Sequence, residues 1–248
     1  MKIQSLLAAT AALAVAACSE AGAVGDDAFG KRVRAYLLEH PEVLEEAIVK
    51  LEEKRAVANT AAQTKALAGA RQALERDPRD FALGPADAKV TVVQFFDYRC
   101  PYCKTVADEY VRLAQREPDV RFVFKEWPIL DRGGGEPVSE YAARAALAAK
   151  AQGKYLPVHQ ALMSAKALDL AGVDRILAAN GVAMAPAKTA VDSKAVGDHI
   201  RDVAQLAQQV QAEGTPAFFV AGKPVEFTGP DSLAGAIAAA KRGGGKAA

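Results

Sequence analysis

From Asp26 to about Arg76 the chain is polar, with apolar residues recurring at steps of three and four: Phe29, Val33, Tyr36 and Leu37, then Leu44, Ile48, Leu51, Ala58 and Ala62. That spacing predicts two helices interrupted at His40-Pro41. Asp26 or Asp27 can cap the first, which ends at Glu39. Pro41 opens the second, with Glu42, Glu45 and Glu46 in its first turns, where the helix dipole favours acids. The apolar seam is narrow and Arg55 breaks it, so the long helix cannot bury its face alone. Self-association is the expectation, against a stalk lying on its own domain or a solvated linker after Ala62. Asp77-Pro78-Arg79-Asp80 stops the helix, and Gly84-Pro85 marks the boundary before the first strand.

Beyond that boundary the period changes. The β-branched run Val90-Thr91-Val92-Val93-Gln94-Phe95-Phe96 predicts a buried strand, followed by a helix to about Arg116. Val120 to Phe124 alternates and predicts a second strand, parallel to the first through a βαβ crossover. Helices are expected over Pro137–Gln152 (Ser139 as N-cap, Gly153 as stop), Tyr155–Lys166, Val173–Ala179, Ala187–Val191 and Lys194–Ala212. Thr215 to Val220 returns to strand, Ala221-Gly222-Lys223-Pro224 turns, and Val225-Glu226-Phe227 pairs back before a last helix, Ser232–Lys241. This order of elements is an α/β thioredoxin fold with an inserted all-helical domain, preceded by an N-terminal helical segment. The expected divisions are 26–80 for an oligomerisation segment, 84–242 for the thioredoxin domain with its insertion at about 136–213, and 243–248 for a flexible tail.

Composition narrows the partners. With 51% hydrophobic residues in 248 there is ample material for a core, and a formal charge of +1 gives no electrostatic case for nucleic acid. Lys2 followed by the apolar run Leu6 to Ala17 has the layout of an export signal and is too short for a comfortable bilayer span. Cleavage is expected either after an Ala21-Gly22-Ala23 site (signal peptide 1–23) or at Val15-Ala16-Ala17-Cys18, a lipobox that removes 1–17 and lipidates Cys18. Either way the mature chain is exported, and the second route would anchor it to the membrane. Cys100 and Cys103 are then the one thiol pair, as suits an oxidising compartment.

These two cysteines enclose Pro101-Tyr102 directly after the first strand. Proline suits the first helical turn, where an amide has no intrahelical partner to lose. Cys100 then caps the helix, and the unpaired amides and helix dipole there favour thiolate. Cys103 lies one turn on, placed to close a small disulfide or to resolve a mixed one. Zinc needs four ligands, whereas the chain offers no second cysteine pair and only the isolated His40, His159 and His199, so no metal is expected. A purely structural bridge across four residues restrains the unfolded chain too little to be useful. Lys125 and Glu126 leave the second strand where parallel sheets place their sites, so they are candidates for tuning the thiols or else a solvated charge pair. His159 and His199 are expected to pack, partly buried, on the helices.

Phe95-Phe96-Asp97-Tyr98-Arg99-Cys100-Pro101-Tyr102-Cys103, together with Gly214-Thr215-Pro216-Ala217-Phe218-Phe219, resembles the DsbA-like thiol:disulfide oxidoreductases of the bacterial periplasm, and in particular their ScsC-like branch. Tyr36 to Leu44 resembles the N-terminal region of that branch. The resemblance implies a cis peptide before Pro216, facing the cysteines, with Thr215 offering its backbone to a substrate strand. It also implies Cys100 as nucleophile, Cys103 as resolving thiol, and Pro101, Tyr102 and Thr215 as modulators of the potential. No metal or organic cofactor is needed. The implied partners are unfolded or misdisulfided periplasmic proteins, a membrane redox partner (a DsbD-like reductant or a DsbB-like oxidant), and further copies of the chain, a trimer among the options. Disulfide isomerase or reductase action is favoured over dithiol oxidation. Cu(I) binding for copper tolerance and cysteine-independent holdase activity are the readings from other classes.

Overall fold

All seven residues of the first long strand, Val90–Phe96, are buried, because helices cover both faces of the sheet it centres. The structure, a computed structural model, describes residues 23–131 and 135–243. The leader, Cys18 and the tail from Gly244 lie outside the described residues.

Two helices lead, α1 (Ala23–Glu39) and α2 (Glu42–Arg76), joined at His40-Pro41 as the sequence predicts. The chain divides into two units after Thr60, within α2. In the first unit Phe29, Tyr36, Leu38, Leu44, Ile48, Val49, Leu51 and Val57 are all exposed, and the His40 ring lies tilted against Tyr36 with centroids 4.5 Å apart. The second unit begins earlier than the expected boundary at 80. Leu67, Ala70 and Leu74 are buried in it, so the stretch after Ala62 is neither a solvated linker nor part of a separate segment.

The sheet has the order β1-β3-β2-β4-β5, made by β1 (Phe81–Leu83), β2 (Val90–Phe96), β3 (Val120–Glu126), β4 (Ala217–Val220) and β5 (Lys223–Val225). β2 and β3 are parallel, Val90 opposite Val120, across the crossover helix α3 (Pro101–Arg116), while β1, β4 and β5 run antiparallel to their neighbours. The edge strand β1 was not anticipated: it is three residues long, and its hydrogen bonds replace the boundary expected at Gly84. Gly84 itself is required by a close approach, since at φ 84° a Cβ would lie 2.1 Å from the Val120 carbonyl oxygen. The final hairpin turns on two residues rather than four, Ala221 (φ 49°) and Gly222 (φ 74°), so β5 starts at Lys223.

Between β3 and β4 lie α4 (Val138–Lys150), α5 (Tyr155–Ser164), α6 (Leu170–Ala179), α7 (Met184–Val191) and α8 (Lys194–Gln209), and α9 (Pro230–Gly243) follows the sheet. The α6 and α7 helices begin three residues earlier than expected. Asp169 caps α6 and Ser193 caps α8 through the amides of Gly172 and Val196. One sheet face packs Val92, Phe96, Phe122, Phe124 and Phe218 against α3, α4, α5 and α9. The other packs Val93, Phe95, Val123 and Phe219 against α8 and the last turns of α2.

Candidate active site

β2 ends at Phe96 and delivers the chain into a four-residue turn closed by the Cys100 amide donating to the Asp97 carbonyl at 3.1 Å. The Asp97 carboxylate, buried to 1%, accepts four hydrogen bonds. Oδ1 takes the Arg99 amide (2.7 Å) and the Ser139 hydroxyl (2.9 Å), and Oδ2 takes the amides of Ile129 (2.8 Å) and Leu130 (3.0 Å). Four donors offset the loss of water around a carboxylate buried in the fold. Ser139 is thereby used up and does not cap α4. Asp131 performs that role, accepting from the Ser139 amide (3.0 Å) and the Glu140 amide (2.7 Å), and it also holds the Arg99 guanidinium at 3.0 Å.

Cys100 caps α3 and Pro101 opens it, as the sequence predicts. The Cys103 amide donates to Cys100 Sγ at 3.4 Å, and the Cys100 thiol donates to the Thr215 carbonyl at 3.2 Å. Both thiols are free and buried, Cys100 to 4% and Cys103 to 0%. The Cys103 thiol, donating a hydrogen bond to Cys100, draws the Cys100 pKa down to about 6 against its own burial, aided by the Thr215 side chain and the amides of Cys103 and Tyr102. The same bond, together with burial, pushes Cys103 far up. The arrangement favours thiolate at Cys100 and thiol at Cys103. Thr215-Pro216 is a cis peptide, as the resemblance implies. Cys100, Cys103, Thr215 and Pro216 are therefore brought together, with Pro101 exposed beside them and Tyr102 74% exposed.

Lys125 and Glu126 are placed otherwise than expected. Neither is solvated, being 0% and 1% exposed. The Lys125 ammonium donates to the Ala73 carbonyl at 2.6 Å and pairs with the buried Asp80, so its contacts are with the end of α2 and not the thiols. This satisfies a carbonyl left open by the helix terminus and compensates a buried carboxylate. His199, also buried, brings Nε2 to 3.1 Å from the other oxygen of Asp80. Glu126 Oε1 accepts the hydroxyls of Tyr98 (2.9 Å) and Tyr155 (2.7 Å), and Oε2 is buried without a hydrogen bond. Burial raises the Glu126 carboxyl well above its ordinary range. His159 Nδ1 stands 3.0 Å from the Tyr98 hydroxyl, and burial lowers its pKa to about 3, so the imidazole is neutral. With the Tyr98 proton given to Glu126, His159 Nδ1–H donates to the tyrosine oxygen. After the cysteines, the Lys104 ammonium binds the carbonyls of Ala165 and, at 3.5 Å, Leu162 at the end of α5. Asp97, Tyr98, Arg99 and Lys104 thus all tie the cysteine-bearing turn to α4, α5 and the connection before them. Among the described residues, no cluster of His, Cys, Asp and Glu could hold a metal ion.

Sequence reasoning passed over Asp97, Tyr98, Asp131 and Lys104, although three of them flank the cysteines within three residues. A carboxylate at the end of an apolar strand is itself a signal, since it needs donors wherever it is buried.

A family model for the DSBA-like thioredoxin domain matches residues 91–238, well over half of the chain. The chain belongs to the DsbA-like family. A second model, the copper resistance protein ScsC N-terminal domain, matches residues 27–58 of this DsbA-like protein. A thioredoxin-like oxidoreductase from Silicibacter pomeroyi is 39% identical, with a TM-score of 0.64, covering 69% of this chain and 98% of that one. A periplasmic thioredoxin-like protein from Salmonella enterica serovar Typhimurium is 26% identical (TM-score 0.60), covering 68% and 94%. Among curated relatives, the Na(+)/H(+) antiporter NhaA 3 of Salinispora tropica is 33% identical over 157 residues, 59% of this chain. The chain spans only about a quarter of the length of the antiporters it matches, 22% in this case. Among the described residues, no helix is long and apolar enough to cross a membrane.

Proposed function

We propose that the chain is a periplasmic thiol:disulfide oxidoreductase in which Cys100 exchanges disulfides with client proteins and Cys103 resolves the mixed intermediate. The observation that carries this is the geometry of the pair: Cys100 caps α3 with the Cys103 amide 3.4 Å and the Thr215 carbonyl 3.2 Å from its sulfur, a setting that draws its pKa down to about 6 and pushes Cys103 up. The Cys100 thiolate attacks one sulfur of a client disulfide, a Cys100–client disulfide forms, and the other client sulfur leaves as thiolate. Either that thiolate attacks a different client disulfide and the client finally displaces Cys100, which is isomerisation. Or Cys103 gives its proton to water and attacks Cys100, forming the Cys100–Cys103 disulfide and releasing the reduced client. The match of residues 27–58 to the ScsC N-terminal domain and the exposed apolar side chains of the first unit support self-association, and with it the isomerase reading. The periplasmic relative supports the location.

The test reactivates a scrambled disulfide protein with the reduced full-length chain while light scattering reports its mass. Reactivation by an oligomer, lost in Cys100→Ser, is expected; inert monomers would remove the isomerase reading. The low Cys100 pKa favours a second reading, dithiol oxidation, because a stable thiolate makes the disulfide a stronger oxidant. Thiol trapping in cells separates the two: a mostly reduced pair supports isomerase or reductase action fed by a membrane reductant, a mostly oxidised pair an oxidase.

A further inference from the structure

From residue 61 onward, among the described residues, every large apolar side chain is buried or partly buried except Tyr102, which is 74% exposed and stands between the two cysteines. Its backbone is fully employed. The amide helps to stabilise the Cys100 thiolate, and the carbonyl accepts the Thr105 hydroxyl at 2.8 Å. The ring is not: among the described residues its hydroxyl makes no hydrogen bond and no other ring stacks on it. Whatever this position contributes to the thiolate therefore passes through the main chain, and the aromatic side chain is left facing solvent beside the nucleophile.

We propose that Tyr102 is a specificity-determining residue, its ring receiving an apolar side chain that neighbours the client cysteine under attack. The inference rests on Cys100 being the nucleophile. A client sulfur bonded to Cys100 Sγ brings its flanking residues beside the first turn of α3, to which the exposed Tyr102 belongs. Misdisulfided and unfolded chains expose apolar residues next to their cysteines, whereas native ones bury them. An aromatic ring supplies a large contact area at little conformational cost. The site would then choose clients by misfolding itself, through the side chain beside the disulfide, and small disulfides would lack the contact.

The test uses the reduced full-length protein and two synthetic peptide disulfides, one with leucine and phenylalanine flanking the cysteine and one with glycine and serine. The wild type is expected to prefer the apolar peptide by roughly tenfold in kcat/KM, carried by KM. Tyr102→Ala should bring that ratio close to one, and Tyr102→Phe should keep it. An unchanged ratio in Tyr102→Ala, or a parallel loss on both peptides, overturns the proposal. Failure of the underlying reading looks different: wild type and Cys100→Ser would then be equally inert on both peptides.

Discussion

Cys100 ionises because Cys103 and the amides at the mouth of α3 donate toward its sulfur. Its pKa falls from 9.0 in an unstructured setting to about 6 in the fold, so ionisation favours the folded, reduced protein. That stabilisation is complete above pH 9 and is lost as the pH drops through 6. The alkylation rate of the reduced protein with iodoacetamide is therefore expected to rise through a midpoint near pH 6, and Cys103→Ala, which removes the principal donor, should move the midpoint upward. His159 titrates with a depressed value as well, about 3 against an ordinary 6.5, and contributes stability above pH 6.5 that is lost toward pH 3. Glu126 runs the opposite way. Its raised value makes its contribution complete below the ordinary glutamate range and lost as pH climbs through the folded value. Urea unfolding from pH 4 to 8 should show both limbs, with His159→Asn flattening the acid limb and Glu126→Gln the basic one. The roles of Cys100 and Pro101 were readable from four consecutive letters, because capping and proline preferences are local. Those of Lys125 and Glu126 were not, since their partners Asp80, Tyr98 and Tyr155 come from 45, 28 and 29 residues away.

Among the elements, α2 departs furthest from expectation. A continuous helix of 35 residues was readable from its period, but not the change of role along it. The residues after Ala62 are mostly alanine and polar, a pattern that fits a solvated helix as well as one lying on a sheet. The large apolar residues on the buried face are Leu67 and Leu74, 7% and 0% exposed, with Ala70 between them. Leu74→Ala should cost about 2–5 kcal/mol in chemical denaturation. A chain started at Ala61 should keep its cooperative unfolding, whereas one started at Asp77 should lose it by uncovering Val93, Phe95 and Phe219. The alanines of α4 teach the same lesson in reverse. Ala142, Ala145, Ala146 and Ala149 look unremarkable in sequence, yet all are at 0% exposure within the core. Ala146→Leu is expected to cost about 1–3 kcal/mol by overpacking, measured the same way.

At the scale of the whole molecule, the order of strands and helices was legible because each parallel crossover and hairpin has its own periodicity and turn chemistry. The sheet edge at β1 was not, being three residues long and defined only by its partner β3. Nor was the manner in which the insertion is fastened to the redox turn, because Asp97 and Asp131 reach their donors across the fold. That fastening bears on how the molecule opens. Ile129 and Leu130 lie in an irregular connection, where amides ordinarily exchange with solvent quickly, but both donate to a carboxylate at 1% exposure. Their deuterium uptake should be slow and should keep pace with the amides of Ser139 and Glu140, which Asp131 holds. The stretch from Asp97 to the first turn of α4 would then behave as one cooperative opening unit, and the loop that carries Cys100 would be among the last parts of the protein to breathe.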